Sequence, residues 1–97
     1  MKSTLEYMDI LRQYFKTTAR QYGVTKMAIF GSVARNEQQE GSDVDVIYEG
    51  TPNILLRIRM KSDLEKLFGC KVDIVRMRKQ LLGSAFSEEI EKDLLYV

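Results

Sequence analysis

Asp43-Val44-Asp45-Val46 alternates acid and apolar residues, and that alternation leaves the segment few folds to enter. Successive side chains of a strand point to opposite faces, so Asp43 and Asp45 share one face about 7 Å apart at the backbone, with Val44 and Val46 on the other. A ten-residue spacer, 33–42, separates this pair from Gly31-Ser32, which itself closes the apolar run Met27-Ala28-Ile29-Phe30. A third acid, Asp73, lies between Val72 and Ile74 in another apolar run. The pattern predicts short strands that carry a glycine-serine turn and three carboxylates to one site. Like charges about 4 Å apart repel by roughly 4 kcal/mol at an effective dielectric constant of about 20, so such a site is unfavourable without a counter-charge. A divalent cation removes the conflict, and magnesium suits it: a hard ion, usually held by one or two carboxylates together with a substrate's phosphates.

Composition narrows the chemistry further. At 97 residues the chain is expected to form a single domain, 1–97, with one core and no room for a second substrate-binding domain. Fifteen basic and fourteen acidic residues leave a net charge of +1, so no global field argues for nucleic acid or a membrane surface, and nucleic acid is not expected as a direct substrate. No apolar stretch is long enough to span a bilayer and the first residues lack a signal-like apolar core, which predicts a cytoplasmic protein. The single cysteine, Cys70, cannot form an internal disulfide and reads as a core residue. Histidine is absent, which excludes Ser-His-Asp and Cys-His nucleophiles, histidine bases and the usual zinc sets. Walker A and Gly-x-Gly-x-x-Gly patterns are absent too, so phosphate must be held another way.

Along the chain, Ser3-Thr4-Leu5-Glu6 has capping-box spacing and opens a helix whose apolar face is Leu5, Met8, Leu11, Phe15, Ala19 and Tyr22, ending at Gly23. A strand over Met27–Phe30 delivers Gly31-Ser32, and Val44, Val46 and Ile47 form a second. Thr51-Pro52 is expected to cap a long helix with proline at its first position, with Ile54, Leu55, Ile58, Leu64, Leu67 and Phe68 as its apolar set and Gly69 at its end. A third strand runs roughly from Cys70 to Val75. Leu81, Leu82, Phe86, Ile90 and Leu94 suggest helical segments broken at Gly83-Ser84, and Leu95-Tyr96-Val97 a short terminal strand.

Each candidate site element has an ordinary reading by itself. Gly-Ser is a common turn, Asp-x-Asp is common at strand ends, and Asp73 could pair with Lys71 or Arg76. Together, in this strand context, they point to a metal-dependent nucleotidyl transfer centre. Gly31 would let a phosphate approach the backbone, and Ser32 would donate its hydroxyl to that phosphate while its amide opens a short helix. Asp43 and Asp45 would bind two ions, one escorting a triphosphate and one lowering the pKa of the attacking hydroxyl. Asp73 would complete the second ion's shell or take the proton; both roles need the same carboxylate.

Gly31-Ser32, the spacer and Asp43-x-Asp45 resemble the signature of the DNA polymerase beta nucleotidyltransferase superfamily. Phe30-Gly31-Ser32-Val33-Ala34-Arg35, Ser42-Asp43-Val44-Asp45-Val46, Lys71-Val72-Asp73-Ile74-Val75 and Leu94-Leu95-Tyr96-Val97 resemble its minimal nucleotidyltransferases over nearly the whole chain. The resemblance implies an α/β fold with a small mixed β-sheet of three to four strands flanked by helices. It implies an antitoxin that transfers AMP from ATP to a tyrosine of a HEPN-domain toxin ribonuclease, as part of a hetero-oligomer with that toxin. Two magnesium ions, or manganese in their place, are the implied cofactors. By this resemblance Ser32 matches the phosphate-holding serine, Asp43 and Asp45 the metal ligands, Asp73 the third carboxylate and Arg35 a basic position near the triphosphate. Val33 departs from a frequently basic position, and Asn36 stands where glycine is common, asparagine being tolerant of a left-handed backbone.

Size also favours an acceptor on another chain, since little remains to enclose a small molecule or grip a primer. Arg57, Arg59 and Lys61, or Arg76, Arg78 and Lys79, are candidates to meet an acidic partner, although such charges are more often a solvated helix face. Neutralisation by binding alone, and transfer to a small molecule with a partner's help, are the alternatives.

Overall fold

The computed structural model describes residues 1–78 and 85–97. Expectations for Lys79, Leu81, Leu82 and the Gly83-Ser84 break lie outside them. Helix α1 (Thr4–Thr17) begins as its sequence predicts: the Ser3 side chain accepts from the Glu6 amide, and the Glu6 carboxylate accepts from the Ser3 amide. The helix does not run unbroken to Gly23. It breaks at Thr18 and resumes as a 3-10 turn over Ala19–Tyr22, which Gly23 ends at φ 84°. Strand β1 (Lys26–Phe30) leads into the one-turn helix α2 (Gly31–Ala34), and β2 (Val44–Glu49) follows. Helix α3 (Ile54–Phe68), β3 (Val72–Arg76), α4 (Ala85–Asp93) and β4 (Leu95–Tyr96) complete the order.

The four strands form one mixed sheet in the order β3-β2-β1-β4. β1 pairs antiparallel with β2 and with β4, whereas β2 and β3 run parallel. A parallel pair needs a crossover, and α3 supplies it. The even-numbered residues of β2, Val44, Val46 and Tyr48, enter a core with α1 and α3 that also holds Leu11, Met60, Leu64 and Phe68. Val44, Val46, Leu11, Met60 and Leu64 are fully buried, each worth about 1.5–3 kcal/mol relative to exposure. Tyr7 and Phe68 meet edge to face, with ring centroids 5.2 Å apart. On the opposite sheet face Ala28, Ile47 and Ile90 form a smaller cluster beneath α4.

Two helix readings are corrected. Asn53, not Thr51-Pro52, caps α3: its Oδ1 accepts from the amides of Leu55 and Leu56. The buried stripe of α3 is Met60, Leu64 and Phe68, while Ile54, Leu55, Ile58 and Leu67 are exposed. Two apolar stripes compete in this sequence; the one repeating every fourth residue to the C-terminal end wins, because the other meets Lys61 and Ser62. On α1, Leu5 is exposed while Tyr7 and Tyr14 are buried. Their hydroxyls find polar partners, Tyr7 with Cys70 Sγ at 3.8 Å and Tyr14 donating to Asp63 Oδ2 at 2.8 Å. Those contacts offset the cost of burying a phenol.

Candidate active site

At the end of β1 the chain turns directly from strand to helix, and Gly31 takes φ +74° at the corner. That conformation costs an L-residue about 1–2 kcal/mol and glycine nothing. A second constraint acts on the same position. The antiparallel register sets Phe30 opposite Asp45, and a Cβ built on Gly31 would overlap Asp45 Oδ2 and lie 3.2 Å from its Cγ. The missing side chain thus makes room for a carboxylate belonging to the next strand.

Asp45 is in turn the register partner of Asp73 across the parallel β2–β3 pair. Neighbouring strands lie about 4.8 Å apart, so the two acids stand abreast on one face. Asp43 directly precedes β2, close enough for its charge to act on Asp45. The Val44 amide, donating to the Lys71 carbonyl at 3.0 Å, fixes the entry of this segment against the one leading into β3. Asp43 and Asp73 are exposed and Asp45 is half-buried. Burial, then the charge of Asp73, then that of Asp43 push the Asp45 carboxyl above its ordinary range, and Arg35 opposes them.

None of the three carboxylates has a hydrogen bond or ion pair among the described residues, so Asp73 is not spent on Lys71 or Arg76. Nor do three or more acidic, cysteine or histidine side chains among the described residues converge tightly enough to form a ready-made metal cage. The donor chemistry fits magnesium nonetheless. Asp45 and Asp73 stand abreast with Asp43 just ahead of β2, the Asp45 carboxyl raised by the charge of both, and magnesium is ordinarily held by one or two carboxylates plus phosphate oxygens and water.

Ser32 is the second residue of α2 and half-buried, and its hydroxyl has no partner among the described residues. Its carbonyl accepts from the Glu37 amide at 2.8 Å, and Asn36 closes the turn at φ 59°, the left-handed conformation that asparagine tolerates. The Thr4 hydroxyl, donating to the Val33 carbonyl at 2.6 Å, ties this turn to α1.

Arg35, at the end of α2, is already engaged. Its Nη1 donates to Asp93 Oδ2 at 2.6 Å and its Nε to Glu37 Oε2 at 3.1 Å. It lies close enough to Asp45 to lower its pKa, yet its guanidinium is held toward α4. Sequence reasoning missed Asp93, which is 58 positions away and carries no local signal. The outer two acids each border an opening. A cleft of about 730 Å³ lies beside Asp43, with Lys2, Ser42 and Lys71 on its walls. A groove of about 330 Å³ lies beside Asp73, with Arg57, Ile58, Lys61 and Ile74.

Residues 9–97 match the family described as nucleotidyltransferase domain. A candidate protein adenylyltransferase of Methanocaldococcus jannaschii, MJ0128, is 41% identical over 99 residues, spanning 100% of both chains. The protein adenylyltransferase MntA of Thermococcus cleftensis is 35% identical, covering 97% of this chain and 96% of its own. The solved structure of a candidate minimal nucleotidyltransferase superposes with a TM-score of 0.75 at 28% identity, over 97% of this chain and 95% of that one. At 14% identity the same fold recurs in the toxin-antitoxin MntA-HpeT crystal structure, with a TM-score of 0.68 over 98% of this chain and 72% of that one.

Proposed function

The chain belongs to the nucleotidyltransferase domain family, and from that premise we propose that it is the antitoxin of a toxin-antitoxin pair, transferring AMP from ATP to a tyrosine of a HEPN-domain toxin ribonuclease in the cytoplasm. The observation that carries the reading is Asp45, seated against Gly31 and abreast of Asp73, in a chain with no histidine. The full-length likeness to a protein adenylyltransferase supports a protein acceptor, and the fold's occurrence in a toxin-antitoxin complex is consistent with the partner.

In the reaction the tyrosine oxygen bonds to the α-phosphorus of ATP, the bond from that phosphorus to the bridging oxygen breaks, and pyrophosphate leaves. The tyrosine proton passes to a base. Ser32, its hydroxyl without a partner among the described residues, donates to the triphosphate at the start of α2 and orients it toward the sheet. Arg35, paired in this structure with Asp93 and Glu37, would add positive charge beside it on release from those carboxylates. Asp43 and Asp45, with Asp73, would hold two magnesium or manganese ions, which when bound would supply Lewis acidity to the phosphates and lower the pKa of the attacking hydroxyl. Asp73, on the groove with Arg57 and Lys61, borders an opening through which an acceptor can approach, and would either complete the ion shell or take the proton.

The test is mass analysis of the partner toxin after incubation with ATP and magnesium. The toxin gains the mass of AMP with the parent chain, gains nothing in excess chelator, and gains nothing with Asp43→Asn/Asp45→Asn, which keeps volume and removes two charges. An unmodified toxin that the double variant still neutralises as well as the parent replaces transfer with neutralisation by binding alone.

A further inference from the structure

A cavity of about 360 Å³ opens at the other end of the sheet, between the start of α3 and the end of β3. Tyr48 lies three residues beyond Asp45 and on the opposite sheet face, in the core beneath α3. Tyr48 borders the cavity although it is only 1% exposed, and its hydroxyl has no partner among the described residues. Arg76 is its register partner on β3, Arg57 comes from the first turns of α3, and Arg78 follows β3. None of the three arginines has a carboxylate partner among the described residues; the one hydrogen bond they make is from Arg76 Nη1 to the Gly50 carbonyl at 3.5 Å.

Three guanidiniums around one cavity repel one another, as three carboxylates do. A single carboxylate balances one of them. A phosphate dianion offers two charges and several acceptor oxygens to a wall whose side chains present donors, and guanidinium forks match it bidentately. Asn53 already caps the first amides of α3, so the helix adds its dipole rather than free donors. The charge of these same arginines opposes the rise that burial imposes on the Tyr48 phenol, which places them within electrostatic reach of its oxygen.

We propose that the cavity bordered by Tyr48, Arg57, Arg76 and Arg78 is a phosphate-binding site outside the carboxylate centre, Arg57 being shared with the groove beside Asp73. Its ligand is a phosphate dianion, either free or as the monoester of a nucleotide. The arginine Nε–Hε resonances of nitrogen-labelled protein, titrated with inorganic phosphate, with AMP and with sodium chloride at matched ionic strength, test it. Arg57, Arg76 and Arg78 are expected to shift saturably with phosphate or AMP. A tighter response to AMP assigns the site to a nucleotide, and a tighter response to phosphate assigns it to the free ion. Tyr48→Phe keeps the buried ring, and Arg76→Gln removes one charge. Each should weaken binding by roughly ten- to a hundredfold, the worth of one hydrogen bond to a charged group. Shifts no larger than those with chloride, or unchanged affinity in a folded Tyr48→Phe variant, overturn the assignment.

Discussion

The Asp45 carboxylate occupies the space that a side chain on Gly31 would fill. A glycine expected from its sequence context to bring phosphate close to the backbone therefore also brings a neighbouring strand's acid close. The two ends of the Gly-Ser…Asp-x-Asp signature are thus one packing unit, and the identity of the first residue follows from the position of the last.

Gly31→Ala combines a left-handed backbone with that collision, whereas Gly41→Ala has φ +85° and nothing within 4 Å of the added Cβ. The second change should cost only backbone strain, about 1–2 kcal/mol. Gly31→Ala should cost roughly 1 kcal/mol or more beyond that, from overpacking, and should abolish transfer by displacing Asp45. Denaturant midpoints and AMP transfer for both variants decide it; equal losses of stability refute the role given to Asp45.

Asp45 gives a pH dependence of definite sign. Its folded pKa lies above the ordinary 3.8 because of burial and the charges of Asp73 and Asp43. Such a group contributes stability below its unfolded pKa and loses it as pH rises through the folded value. Asp45→Asn, without divalent ions, should therefore match or exceed the parent at neutral pH, and lose that advantage as pH falls below the carboxylate range. Urea midpoints at both ends of that window measure it, and a variant less stable than the parent at neutral pH contradicts the electrostatic account.

Ser32→Ala removes a hydroxyl that nothing described in the protein uses. Stability should be unchanged, while triphosphate handling loses about 1.5–3 kcal/mol, as for a hydrogen bond to a charged group. Nucleotide affinity and transfer rate read the loss directly. If both stay at parental values, Ser32 holds no phosphate.

Tyr14 tests the opposite face of the sheet. Burial, then its hydrogen bond to Asp63 and that residue's charge, raise the phenol well above its ordinary 10.0. The sign is that of Asp45: the contribution is complete below the ordinary value and is lost as pH rises toward the folded one. Tyr14→Phe should cost about 1 kcal/mol at neutral pH, and its melting temperature should fall less steeply than the parent's above about pH 10. Parallel curves for parent and variant would mean the hydroxyl is not held as described.

Much of this geometry was readable because it is local. Alternation along β2 sets the face of Asp45, the Ser3–Glu6 box sets the start of α1, and Asn36 fits its left-handed turn. What was not readable depends on contacts distant in sequence. The engagement of Arg35 by Asp93 joins two helix ends 58 positions apart. The exposed Ile54, Leu55 and Ile58 of α3 are as apolar as its buried stripe, and only Lys61 and Ser62 further along their side tell against them. Tyr7 and Tyr14 enter the core because Cys70 and Asp63 are there to meet their hydroxyls.

The pairing of Asp45 with Asp73 also limits the stretch between α3 and β3. Because strand side chains alternate, adding or deleting one residue across 69–71 would slide Val72 or Ile74 into the place of Asp73. An acid would turn into the core and an apolar side chain would face the carboxylates. Beyond Gly69, which ends α3 at φ 74°, the short connector can therefore exchange its residue types more freely than it can change its length.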